Sequence, residues 1–258
     1  MKYKEIQALS PYELSPHRHA FINPYEGCSM GCPFCFWLSM DGWEGTIAAK
    51  LNIASVLEQG LNTWPKEQFI YLGSICDPFN EMEEKYGLSR QCLEVIEKYQ
   101  IPLLITTSAV NEVILKRAQQ IKQMSTSVIT VIELARISEI EVMKNGGVHR
   151  GIEHANKLKE MGLEVWATLA PICPGIIELE PVLECLHPEI PVYIDALQCN
   201  RNSIQEKRIM EWISRDYPEQ LKVYERIVLK KDISYFSEIL KKYEGNPQIC
   251  TFPYKLNG

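Results

Sequence analysis

The hydrophobic pattern alternates between two periods along most of the chain. Short, nearly continuous apolar runs recur at QFIYLG (68–73), IPLLITT (101–107), SVITVIEL (127–134), LEVWATLAP (163–171) and PVYIDALQ (191–198). Strands buried on both faces of a parallel sheet read this way. Between them, apolar residues fall at the three- and four-residue spacing of a helix in TIAAKLNIASVLEQGL (46–61), SRQCLEVIEKY (89–99), NEVILKRAQQIKQM (111–124) and VHRGIEHANKLKEMG (148–162). Ser89 and Asn111 stand where N-caps are expected, and Gly162 where the last of these helices should stop. With HAFINPY (19–25) as a first strand, the pattern predicts about six βα units in series. Such a series is expected to close as an α/β fold, a partial (β/α)6 TIM-like barrel, with its ligands at the carboxyl ends of the strands. From about residue 203 the sequence turns helical and charged, as in SRDYPEQLKVYERIVLKKDISYFSEILKKY (214–243). Residues 1–200 are therefore expected to form the core barrel, and 201–258 a helical C-terminal extension packed on it.

Composition narrows the partners. A net charge of −6 over 258 residues argues against avid nucleic-acid binding, which rests on clustered Lys and Arg. No run of eighteen apolar residues is present, and the N-terminus lacks the apolar segment of a secretory signal, so a cytoplasmic protein with reduced thiols is expected. Nine cysteines in such a compartment favour metal or redox chemistry over disulfides.

Three of the nine lie in NPYEGCSMGCPFCFW (23–37), spaced C-x3-C-x2-C as Cys28, Cys32 and Cys35. Thiolates hold zinc or iron–sulfur clusters. Three of them leave one iron of a [4Fe-4S] cubane open, and an open position is a catalytic feature. The other six cysteines are scattered.

This motif after a first strand resembles the radical S-adenosylmethionine (radical SAM) superfamily. That resemblance implies a [4Fe-4S] cluster on Cys28, Cys32 and Cys35, with S-adenosylmethionine (SAM) chelating the fourth iron and cleaved by one electron to a 5′-deoxyadenosyl radical. It also implies that Phe34 lies against the adenine. NPYEGC-x3-C-x-F-C-F, CDPFNEME (76–83) through Asp77, Phe79 and Glu83, LAPICPGI (169–176) through Pro171, Pro174 and Gly175, and Arg150 together resemble the spore photoproduct lyase-like branch. The resemblance covers roughly residues 20 to 200, as the barrel reading does. Where spore photoproduct lyase has its hydrogen-returning cysteine this chain has Ser74, with Cys76 two residues on. Where the branch has Thr-Lys at the end of the third strand, it has Thr106-Thr107.

The resemblance makes Ser74, Thr107 and Thr130, at or near strand ends, candidate contacts to SAM, against the plain alternative of polar strand termination. Cys76 stands as a hydrogen-atom donor or substrate-side thiol, against a buried packing residue. Glu133 and Arg136 stand as a charged pair facing substrate or SAM, against a solvated loop pair. Phe36, Trp37 and Trp43 are expected to shield the cluster, or simply to pack, and His17 and His19 to be filler. The substrate expected is a ribosomally made precursor peptide, as for small maturases of this kind, including ones that excise a tyrosine-derived fragment from the backbone. Such an enzyme needs an external electron donor and often a separate peptide-recognition protein. The other readings are a nucleic-acid lesion repair lyase and a noncatalytic zinc or cluster-binding module.

Overall fold

The computed structural model describes residues 2–14, 20–39 and 46–251. His17, His19 and Trp43 lie outside them. The strands are β1 (Lys2–Ile6), β2 (Glu13–Leu14), β3 (Ala20–Ile22), β4 (Tyr25–Glu26), β5 (Thr46–Lys50), β6 (Ile70–Leu72), β7 (Leu103–Thr107), β8 (Val128–Glu133), β9 (Val165–Ile172), β10 (Val192–Ala196) and β11 (Ile249–Thr251). The helices are α1 (Ile53–Leu61), α2 (Glu83–Tyr86), α3 (Leu88–Tyr99), α4 (Val113–Lys122), α5 (Ile137–Lys144), α6 (Arg150–Glu160), α7 (Leu179–Cys185), α8 (Ile204–Asp216), α9 (Leu221–Tyr224) and α10 (Ser234–Lys242). Among the described residues no helix is long and apolar enough to cross a membrane.

The larger sheet has the order β11-β10-β9-β8-β7-β6-β3-β2. Every neighbouring pair in it is parallel except β2 with β3. Its strands bury Ile70, Leu72, Leu103, Ile105, Ile132, Val165, Ala167, Leu169, Val192 and Ile194 almost completely, as their continuous apolar runs predict. Helices close over the faces: α1 inserts Ile53, Leu57 and Leu61, one residue per turn, and α3 inserts Leu88, Cys92, Leu93 and Ile96. Each fully buried aliphatic side chain contributes about 2 kcal/mol.

Several elements depart from the sequence pattern. TIAAKLNIASVLEQGL was expected to be one helix, but Thr46–Lys50 is a strand, and the helix begins only at Ile53. β5 is held between β1 (parallel) and β4 (antiparallel) in a separate three-stranded sheet. Pairing on both edges outweighs the helical preference of Ala48 and Ala49. Ser89 and Asn111 are not N-caps. Ser89 lies inside α3 with its hydroxyl donating to the Pro78 carbonyl at 2.5 Å, and the Asn111 amide donates to the Phe79 carbonyl at 3.3 Å. The chain beyond 200, read as helical, also contributes β11, which pairs in parallel with β10.

Candidate active site

The segment between β4 and β5 begins with a constraint. Gly27 has φ +86°, and a Cβ there would sit 1.9 Å from the Thr46 carbonyl oxygen of β5. Only glycine lets the backbone turn against the small sheet at this point, and Cys28 follows at once. The Cys35 amide closes a turn on the Cys32 carbonyl at 2.9 Å. Cys28, Cys32 and Cys35 are all half-buried, and none is in a disulfide.

The three cysteines line one wall of a cavity of about 290 Å³. The remaining walls come from the carboxyl ends of successive strands: Gly73 to Asp77 after β6, Thr106 to Ser108 at the end of β7, Glu133, Ala135 and Arg136 at the end of β8, and Ala170 and Pro171 in β9. This is where ligands bind in parallel α/β folds. A smaller cavity of about 70 Å³ adjoins it and shares Cys28, Cys76, Asp77, Ser108 and Arg136.

Among the described residues no three His, Cys, Asp or Glu side chains converge on a single-ion site. The thiols instead stand around a cavity wall. A cluster needs that arrangement, because each cysteine holds a different iron. The Met30 amide donates to the Cys28 sulfur at 3.3 Å, a hydrogen bond of the kind that tunes cluster sulfurs. Burial, ahead of other causes, pushes the Cys28 thiol up to about 11 and the Cys32 thiol up to about 12. Without a cation these groups stay protonated, and a bound metal would deprotonate them.

Asp77 proves to be a structural hub. Its Oδ1 accepts from the Phe79 amide (2.9 Å) and the Thr107 hydroxyl (2.7 Å), and its Oδ2 from the Ser108 amide (3.0 Å) and hydroxyl (2.6 Å). It thereby locks the loop after β6 to the end of β7. Thr107 lines the cavity, but its hydroxyl is committed to Asp77 and to accepting from the Ala109 amide. Ser74 also lines the cavity, with its hydroxyl against the Asn23 side chain at 3.3 Å, while Asn23 Oδ1 accepts from the Ile75 amide at 3.0 Å. Thr130 is not at the cavity. It lies inside β8, fully buried, and its Oγ1 has no partner among the described residues. Glu83, the last residue of the CDPFNEME segment matched above, is buried away from the cavity. It accepts from the Tyr25 hydroxyl (2.6 Å) and from the Ser89 (2.9 Å) and Arg90 (3.0 Å) amides at the start of α3.

Cys76 is buried and lines both cavities, and desolvation pushes its thiol well up. Glu133 opens to solvent through the cavity, but protein encloses it on its other sides. That enclosure, and after it the Asp77 charge, pushes its carboxyl up to about 7. No ion pair joins Glu133 to Arg136 among the described residues, and the buried Arg136 Nε has no hydrogen-bond partner there. Phe34 lines the cavity and meets Trp212 of α8 edge-on, with ring centroids 6.3 Å apart. The Gln205 amide of α8 donates to the Phe34 carbonyl. Trp37 also lines the cavity, whereas Phe36 is exposed. Sequence reasoning passed over Asn23 and Ser108. The available signal was a polar residue ending an apolar strand immediately before the cysteines, and a second hydroxyl beside Thr107.

No family model matches the chain. It is 23% identical over 253 residues to an uncharacterized protein of Methanocaldococcus jannaschii, covering 94% of this chain and 93% of that one. It is also 23% identical over 243 residues to an uncharacterized protein of Mycobacterium tuberculosis, covering 82% of this chain and 67% of that one. Among solved structures it superposes on spore photoproduct lyase with bound AdoMet and dinucleoside spore photoproduct, with a TM-score of 0.56 and 15% identity. The chain shares the fold of spore photoproduct lyase. The match to the lyase covers 84% of this chain and 66% of the lyase chain, so this chain spans just under two thirds of the lyase. It superposes as well on SuiB of Streptococcus suis bound to S-adenosylmethionine, with a TM-score of 0.53 and 17% identity, over 90% of this chain and 49% of SuiB. SuiB bound to its precursor peptide SuiA matches with a TM-score of 0.51.

Proposed function

We propose that this chain is a radical SAM enzyme, with Cys28, Cys32 and Cys35 holding one [4Fe-4S] cluster and the main cavity holding SAM. The observation that carries the reading is the wall of three half-buried thiols at the carboxyl ends of β6 to β9, in a chain with this fold. We read the large sheet as a partial (β/α)6 barrel, because β3, β6, β7, β8, β9 and β10 follow one another in sequential order, as barrel strands do.

When bound, the cluster and SAM supply one-electron cleavage of SAM and a carbon radical that abstracts hydrogen from substrate. The protein's own groups position and shield that chemistry. Met30 steadies the Cys28 sulfur, Phe34 offers an apolar face to an adenine, and Trp37 keeps water from the thiols. Ser74, set by Asn23, turns a hydroxyl to the cavity. Thr107 acts indirectly, by holding Asp77, and Thr130 supports β8 from inside. Cys76 offers a buried S–H at the wall shared by both cavities, positioned to return or relay a hydrogen atom.

The substrate we propose is a ribosomally made precursor peptide, with an external electron donor and a separate peptide-recognition protein as partners. SuiB in complex with SuiA supports a peptide for this fold. The test is anaerobic reconstitution. About four irons per chain are expected, together with 5′-deoxyadenosine formed slowly under a strong reductant even without substrate. Serine at all three cysteines should remove both the iron and the visible absorption. Tight zinc binding with no SAM cleavage would reject the reading.

A further inference from the structure

The small sheet has the order β1-β5-β4, so one edge of β1 has no neighbour among the described residues. With five residues β1 is the longest of the strands that end either sheet, since β2 and β4 have two and β11 has three. The register settles which of its backbone groups face outward. Ile6 pairs with Lys50, and the Ile6 carbonyl accepts from the Leu51 amide at 3.0 Å. In a parallel ladder a residue turns its N–H and its C=O to the same side, and its sequence neighbours turn theirs to the other. Lys2, Lys4 and Ile6 therefore bond to β5, and Tyr3 and Glu5 each direct an N–H and a C=O away from the sheet. An open edge of this kind is a template for another extended chain.

The side chains of β1 decide what that chain can be. They alternate between two faces. Tyr3 and Glu5 share the face turned to α2 and the residues before it: the Tyr3 hydroxyl donates to Glu81 Oε1 at 3.3 Å, and Glu5 Oε1 accepts from the Tyr86 hydroxyl at 2.7 Å. Lys2 and Lys4 share the other face and are exposed, and neither ammonium has a hydrogen bond or ion pair among the described residues. A second copy paired about Tyr3 would set Lys2 against Lys4, which repels it, whereas a strand with carboxylates opposite the two lysines is attracted. The edge also leads to the site. At its start Lys2 pairs with Thr46, whose carbonyl oxygen abuts Gly27, the residue before Cys28. Tyr3 pairs with Ile47, which lines the smaller cavity together with Cys28, Cys76 and Glu81. A strand antiparallel to β1, the slightly stronger pairing, runs from Ile6 toward Lys2, and its carboxyl-terminal continuation arrives at that cavity.

We propose that the free edge of β1 docks the peptide substrate by antiparallel strand addition, through an extended segment on the amino-terminal side of the reacting residue that carries acidic side chains at alternate positions. The inference rests on the proposed function and names the recognition surface for its substrate. The edge grips the residues next to the reacting one, whatever else a separate recognition protein holds.

The experiment is fluorescence anisotropy on cluster-loaded protein under anaerobic conditions without reductant, with labelled synthetic decapeptides that alternate Thr with Glu or Thr with Lys. Wild type should bind the Glu peptide about tenfold more tightly than the Lys peptide. Glu5→Pro removes one outward N–H and spares the bonds to β5. It should weaken the Glu peptide about fivefold, while Glu5→Ala, which loses the same Tyr86 contact, should bind like wild type. Methylating the peptide at its Thr nitrogens, which face the edge, should weaken it likewise, and methylating the Glu nitrogens should not. Lys2→Glu with Lys4→Glu should reverse the preference between the two peptides. The methylated peptides and this charge reversal carry the test should Glu5→Pro fold poorly. Equal binding of the Glu and Lys peptides overturns the proposal. So does binding that responds to the lysines but to neither Glu5→Pro nor Thr methylation, which is charge attraction alone. A wild-type dimer in sedimentation that Glu5→Pro dissolves gives the edge to a second copy and overturns it too. Wild type that cleaves SAM yet binds neither peptide rejects the role of β1, whereas wild type that binds the Glu peptide as expected but cleaves no SAM under a strong reductant rejects the proposed function.

Discussion

At the scale of single residues, Asp77 and Glu83 show how one acidic motif divides its labour. Asp77 ties two strand ends together beside the cavity, and Glu83 caps the start of α3 from within the core. Both were legible as a spaced pair. That neither carboxylate is available to a ligand was not legible, because it depends on Ser108 and Tyr25, which lie far away in sequence. The cysteines were legible because their spacing is local. Thr130 was not, because a threonine near a strand end reads the same whether it faces a cavity or the core. Cys76 lies at the wall but outside the C-x3-C-x2-C set. Cys76→Ala is therefore expected to keep the iron content of wild type while lowering turnover at least several-fold or diverting the products. Chromatography of the products beside an iron assay checks this. An unchanged rate and product pattern would return Cys76 to packing.

At the scale of elements, most strands were visible as apolar runs, but β5 was not, since its partners β1 and β4 lie some twenty to forty residues before it. Buried caps decide two helices. Glu83→Ala would leave the Tyr25 hydroxyl and two amides of α3 without an acceptor. It is expected to cost about 3 kcal/mol, read as a lower midpoint in urea. His149 caps α6 by accepting from the Ile152 amide through Nδ1 at 3.3 Å, and its other nitrogen lies on the Leu134 carbonyl. The first bond needs a neutral Nδ1, whereas the second is donated by Nε2–H and survives protonation. Burial lowers its pKa from the ordinary 6.5, against the opposing pull of the Leu134 bond. The folded state thus binds fewer protons than the unfolded state below that value. The contribution of His149 is fully present above about pH 6.5 and is lost as pH falls from there toward its depressed value. Urea midpoints measured between pH 7.5 and 5 should decline for wild type and decline less for His149→Asn, which keeps a capping acceptor. Equal slopes would rule His149 out as the titrating group.

At the scale of the whole molecule, the substrate preference turns on which cations remain for a polyanion. Lys50, beside the cysteine loop in sequence, is buried and pairs with Glu13 (3.5 Å) and Glu26 (2.9 Å). Arg90 pairs with Glu94, and Lys144 donates to the Gly175 carbonyl. Phosphate binding draws its affinity from unpaired basic side chains, and among the described residues the wall of the main cavity offers only Arg136. Cluster-loaded protein at physiological salt is expected to bind single- and double-stranded oligonucleotides no better than millimolar, with no rise in SAM cleavage. Micromolar, salt-dependent binding that stimulates cleavage would instead favour a nucleic-acid lesion as substrate.

The brace between α8 and the cysteine loop bears on how the protein is made. Phe34 and Gln205 are separated by 171 positions, so at typical ribosomal speeds of 5–20 residues per second the thiols emerge roughly 10–30 s before their last support. During that interval they are open to oxidants and to stray metal ions. Under the proposed function, a cluster would be fully braced only once α8 has docked, and the nascent segment would need to stay reduced until then.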